Sequence, residues 1–247
     1  MILASTGGET YFHWMTDVLP RVQMAREAGF DPSAFDHVLI NNVTRPYQRE
    51  TLEALGIDLG LCRSFGRKAS AYHCDDAVLP SLPGLPGNIP PTTVSFLRGL
   101  FPPKGSAGKK KLYIGRDGLS KREVVEQADI RNYLQGLGFQ LLDCARLSVQ
   151  EQARELSEAD EVVVAHGAAA TNLAFCRPGT KVIELFGPGY VNPCYRDLCA
   201  QAELIYSAVI GNGSDWKIET NLNAPDSAIT ASLGLLKKCL SVSPRIG

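Results

Sequence analysis

No run of apolar residues in this sequence approaches the roughly 20 that cross a bilayer, and the N-terminus lacks the charged-then-apolar pattern of a secretion signal. The cytoplasm is therefore the expected compartment. Neither sign of charge is in excess: Lys+Arg 25 against Asp+Glu 26 leave a net charge of -1. No overall basic field exists to hold nucleic acid or an anionic membrane, so any anion must be bound at a local site. Cysteine is sparse, seven in an odd set. The closest pair, Cys194 and Cys199, has neither CxxC spacing nor histidine companions, which argues against a disulfide framework or a zinc site and for reduced, mostly buried thiols. What remains, 45% hydrophobic and 21% charged residues over 247 positions, is the composition of a globular chain.

Punctuation divides that length. The stretch from Leu79 to Gly108 holds LPSLPGLPGNIPP, a short apolar helix over Thr92 to Leu100, and FPPKGSAGKKK, a solvated tether of the kind that joins domains. A boundary is expected near residue 105. Before it, the apolar spacing predicts a helix over Phe12 to Ala28 interrupted by Pro20, a strand at His37 to Asn41, a helix over Tyr47 to Leu55 and a strand at Asp76 to Pro80. After it come strand Lys111 to Ile114, helix Asp129 to Leu137, strand Phe139 to Leu142, helix Val149 to Ser157 and strand Glu161 to Ala165. A helix from about Thr171, strand Lys181 to Phe186 and a last helix over Ser227 to Lys238 complete the reading. Short apolar strands alternating with helices imply a parallel sheet covered on both faces, with ligands at the carboxyl ends of its strands.

Three stretches carry candidate chemistry. Gly115 to Glu123, GRDGLSKRE, gathers Arg116, Lys121 and Arg122 in one loop that can fork onto phosphate oxygens. A solvated turn is the plainer alternative, and Lys121 fits it best. Ala165 to Phe175, AHGAAATNLAF, runs from a strand through small residues to a helix start, a geometry that turns free N–H groups toward an anion, although tight packing accounts for the small residues equally well. In the third, Gly7 to Arg21, His13 and Asp17 are four apart and share a helix face, so the carboxylate can fix the imidazole as a general base. Nothing matches the P-loop, GxGxxG, GxSxG or HExxH, nor a DxD that would bridge a diphosphate through a metal.

Taken in order, YFHWMTDVLPR, LYIGRDGLSKREVVEQADI and VVVAHGAAATNLAFCRPGTKVIELFGPGY resemble the sequence blocks of the glycosyltransferase 61 family, also described as capsular polysaccharide biosynthesis glycosyltransferases. The resemblance implies an inverting enzyme without a bound metal or cofactor, which moves a sugar from a nucleotide diphosphate donor, expected to be UDP-linked, to a hydroxyl of a glycan or glycolipid. It implies a GT-B fold of two Rossmann-like α/β domains facing a cleft, here residues 1–105 on the acceptor side and 106–247 on the donor side. By the same resemblance Arg116, Arg122, His166, Gly167, Thr171 and Asn172 hold the donor diphosphate, Glu184 meets the nucleotide ribose, and His13 with Asp17 supplies the base. No nucleic acid partner is expected, and no basic amphipathic helix argues for the membrane. Two features depart from the family pattern. Ala169 and Ala170 stand where HGAGLTN has Gly and Leu, and the chain begins almost at the first block, as if its first domain were trimmed. A silent nucleotide-sugar or glycan binding module is the alternative; an oxidoreductase or epimerase is disfavoured for want of a dinucleotide fingerprint.

Overall fold

The computed structural model describes residues 1–65, 71–85, 88–102, 108–116, 124, 127–187, 190–211, 229 and 232–241. The boundary near residue 105, Lys121, Arg122 and the start of the expected last helix lie outside them. The fold is α/β with parallel sheets. The larger sheet has five strands, β3 (Lys110–Ile114), β4 (Phe139–Leu141), β5 (Ala159–Ala165), β6 (Lys181–Phe186) and β7 (Ile205–Ile210), ordered β4-β3-β5-β6-β7 and all parallel. The smaller sheet pairs β1 (Val38–Ile40) with β2 (Cys62–Ser64), also in parallel, through the crossover helix α3 (Pro46–Ala54).

The pleat of the inner strands assigns the core. Val162, Val164 and Val182 turn to a cluster shared with Trp14, Leu19, Leu97 and Leu173, while Val163, Ala165, Ile183 and Leu185 turn to a second cluster with Ile130 and Leu236. The first cluster thus runs without a break from the N-terminal helix to the large sheet. Two polar links reinforce it. The helix α6 (Val149–Ser157) has the reciprocal capping box of Ser148 and Glu151, and its first N–H groups, on Val149 and Gln150, also donate to the Glu50 carboxylate of α3 at 2.7 and 3.0 Å. Arg98, on α4 (Pro91–Leu100), donates to the carbonyls of Ala174, Cys176 and Ala202, where helical segments end.

The expected helix over Phe12 to Ala28 is real but not uniform. It begins as α1 (Tyr11–His13), widens into a π segment over Trp14–Val18 and resumes as α2 (Pro20–Glu27). Pro20 lacks an N–H and its ring crowds the preceding turn; the turn dilates, and the Leu19 N–H bonds the Trp14 carbonyl five residues back. Asp76 to Pro80 forms no strand, which corrects the sequence reading. That segment gives the Val78 carbonyl to the Ile2 N–H and the Pro80 carbonyl to Arg21, and β1 pairs with the short polar Cys62–Ser64 instead. The helix expected from Thr171 is a 3₁₀ helix, Ala168–Phe175.

Candidate functional site

The strand order places a topological switch point between β3 and β5, because the chain leaves β3 for β4 on one side and returns to β5 on the other. Ligands of open α/β sheets bind outside the carboxyl ends of strands at such a point. The loops that leave those two ends carry Arg116 and His166–Gly167, and the structure joins them: Arg116 Nη1 donates to the His166 carbonyl at 3.3 Å. Gly167 is extended, with φ 166, so its demand is for space. A Cβ there would overlap the Arg116 guanidinium. The guanidinium therefore lies against the turn that opens the 3₁₀ helix.

Beneath this turn sits a buried polar chain. His166 Nδ1 is 2.6 Å from Glu184 Oε1, and the Tyr206 hydroxyl donates to Glu184 Oε2 at 2.7 Å. Glu184 has no exposed surface and His166 is 4% exposed. Phe186 stacks on the imidazole at 4.8 Å, with Tyr190 and Tyr195 inclined against it at 5.2 and 5.3 Å. Burial, and then the Glu184 charge, push the Tyr206 phenol far above its ordinary value, so it keeps its proton.

The 3₁₀ helix connects this point to the N-terminal helix. Asn172 is fully buried, accepts from the Tyr11 hydroxyl at 2.6 Å and donates to Gln152 at 2.6 Å, which pins α1 and α6 to one side chain. Thr171 is buried beside it, its hydroxyl without a partner among the described residues. On α1, His13 Nδ1 lies 2.6 Å from Asp17 Oδ2, and Thr16 donates to the other oxygen at 3.0 Å. The pair is about one-fifth exposed. The loop before it is fitted to the ring: Gly7 has φ 78, and a Cβ there would meet His13 Cδ2 at 2.7 Å, while Asn41 clamps Ser5 through both backbone groups and leaves no room for a side chain at Gly8. A run of ring contacts, His13 to Phe12 to Tyr195 to His166, links the two histidines.

The sequence model of the family described as Glycosyltransferase 61 matches residues 11–183, from Tyr11 through the 3₁₀ helix into β6. The chain belongs to the glycosyltransferase 61 family. Among its relatives is Beta-1,2-xylosyltransferase RCN11 of Oryza sativa subsp. japonica, 33% identical over 79 residues, which make up 32% of this chain and 15% of the rice protein. The match thus spans about 15% of that relative's length.

Against the family expectation, the structure brings Arg116, His166, Gly167, Thr171 and Asn172 to one end of the sheet, with His13 and Asp17 on the helix packed beside it. Their surroundings differ. Asn172 is spent on Tyr11 and Gln152, and Glu184, with no exposed surface, could meet a ribose only if the side chains that cover it moved aside. Ala169 causes no strain, because Glu203 is the only described non-glycine residue with positive φ. A cavity of about 520 Å³ opens at the other ends of the strands, near Glu161, Lys181, Ile205 and Lys238. None of the site residues lines it. Sequence reasoning missed Tyr11, Tyr195 and Tyr206; Tyr11 opens the first block and carried a signal, whereas the other two become visible only once β6, β7 and α7 (Cys194–Gln201) are placed.

Proposed function

We propose that this chain forms the catalytic region of an inverting, metal-independent glycosyltransferase that moves a sugar from a nucleoside diphosphate, UDP in the first instance, to a hydroxyl of a glycan or glycolipid in surface polysaccharide synthesis. The observation that carries the reading is the meeting of Arg116 with the His166–Gly167 turn at the switch point. Family membership supports the reaction class. In this reading residues 1–105 and 106–247 are the acceptor and donor domains of a GT-B arrangement.

Inversion is a single in-line displacement. The acceptor oxygen bonds to the anomeric carbon, the bond to the β-phosphate oxygen breaks, and the acceptor proton must leave on the face opposite the departing diphosphate. His13 receives that proton at Nε2, while Asp17, at 2.6 Å, holds Nδ1 and stabilises the imidazolium. Arg116, with Arg122 from the same loop, neutralises the charge that grows on the leaving phosphate. A donor of that kind is worth about 2.7–4 kcal/mol in the transition state, or about 10²–10³ in rate.

The test is a thermal-shift panel of UDP, GDP, CDP and ADP in EDTA, on wild type and Arg116→Ala. Selective stabilisation by one nucleotide, lost in the variant, is expected; about 2.7 kcal/mol is gained at 100 times Kd. No shift with any nucleotide would sink the donor site. Binding without transfer to any acceptor would favour a silent binding module.

A further inference from the structure

We propose that His166 recognises a hydroxyl group of the donor, not a phosphate, and that Glu184 and Tyr206 are the positioning residues that make it do so; the inference rests on the donor-site reading above. Glu184 stands on β6 in the row of Val182, on the face where Val162, Val164 and Val182 form the core. A lone carboxylate there would be costly, so its partners decide its state. Tyr206 lies on β7 opposite Val182, one diagonal step from Glu184, and a phenol can only donate to a carboxylate. The remaining oxygen faces His166 Nδ1 and likewise takes only a donor, so the ring proton belongs on Nδ1. In the neutral ring the lone pair is then on Nε2. Phe186 stacked on the ring, with Tyr190 and Tyr195 inclined against it, packs the imidazole in place.

A lone pair attracts an O–H and has nothing to offer a phosphate oxygen, which brings no hydrogen. The phosphate already has its cation: Arg116 sits on the carbonyl of the same residue. One turn therefore divides two tasks, with the guanidinium for the diphosphate and the imidazole for a hydroxyl. Both the ribose and the transferred sugar carry such groups. The hydroxyl contact that family resemblance gives to Glu184 thus passes to the histidine that Glu184 orients.

The experiment has two arms on the full chain. In the first, calorimetric affinities are measured for pyrophosphate, for UDP against 2′-deoxy-UDP and 3′-deoxy-UDP, and for UDP-glucose against its monodeoxy analogues, on wild type, His166→Ala, Glu184→Gln and Tyr206→Phe. The ribose set and the sugar set separate the two sources of hydroxyl. One deoxy ligand should bind wild type about tenfold more weakly, the size of one neutral hydrogen bond, and show no such loss on His166→Ala. Pyrophosphate should be held equally by all four proteins. Equal loss of pyrophosphate and UDP affinity in His166→Ala, or no deoxy ligand coupled to His166, would overturn the assignment. In the second arm, the nitrogen-15 spectrum of His166 without ligand should show a proton on Nδ1 and a bare Nε2, with the Nδ1 proton signal displaced in Tyr206→Phe. That variant leaves the packing of the ring in place and reports even if Glu184→Gln fails to fold. A proton on Nε2 refutes the proposal whatever binds. Failure of every probe to bind wild type, with the nitrogen signals as expected, would overturn the donor-site reading and the hydroxyl assignment with it, and leave the Glu184 and Tyr206 orientation of His166 standing.

Discussion

Two histidines in this protein each lie 2.6 Å from a carboxylate, and they could hardly be housed more differently. His13 and Asp17 share one turn of helix and are about one-fifth exposed; His166, just past the end of β5, and Glu184, on β6, are closed in by aromatic rings. A partly exposed pair can exchange protons with a bound hydroxyl and with water. A buried pair cannot change charge without disturbing its surroundings, so it is suited to hold one atom in one place.

The difference can be broken from either side. His13→Ala should lower transfer by about 10²–10⁴, the range of a lost general base, while nucleotide affinity and the unfolding midpoint stay near wild type. Steady-state rates and calorimetry check this; equal loss of transfer and binding would make His13 structural. His166→Ala should do the opposite to stability, costing about 3–5 kcal/mol because Glu184 is left buried with one partner, as read by urea unfolding. Gly7→Ala forces a side chain into positive φ against the His13 ring, at about 1–3 kcal/mol of strain, and should reduce transfer more than donor binding. Asp17→Asn should change stability by no more than about 1 kcal/mol, since its pair is partly exposed, yet still depress the rate.

A third carboxylate, about half exposed, extends the series further toward solvent. Hydrogen bonds from Ser33, then Arg26, hold Asp31 down to about 2 from 3.8. Its folded value is depressed, so its contribution to stability is complete above about 3.8 and fades as the pH falls through about 2. Asp31→Ala should remove that small acid dependence and leave stability unaltered at pH 3 relative to pH 7 at this site, measured by unfolding at both values.

The same contrast explains what could be read in advance. The His13–Asp17 pair was legible because four residues is a fact of helix geometry, and α6 was legible because Ser148 and Glu151 mark its start. β6, with four apolar residues among its six, was read to the residue. β2 was missed because Cys-Arg-Ser has no apolar pattern and is a strand only by pairing with β1; β7 was missed because Ser207 and Ala208 break its run at the sheet's edge. The partner of Glu184 lies 18 residues away, and no spacing rule joins them. Only the parallel register, with Val164 beside Glu184 and His166 two residues on, brings the pair together.

Glu50 has a consequence for motion. Its carboxylate is the shared acceptor for the Val149 and Gln150 amides, one bridge between the small-sheet unit and the helix beside the large sheet. Deuterium uptake at those two amides would therefore report any opening between α3 and α6, and a ligand that binds across them should slow it without touching either amide.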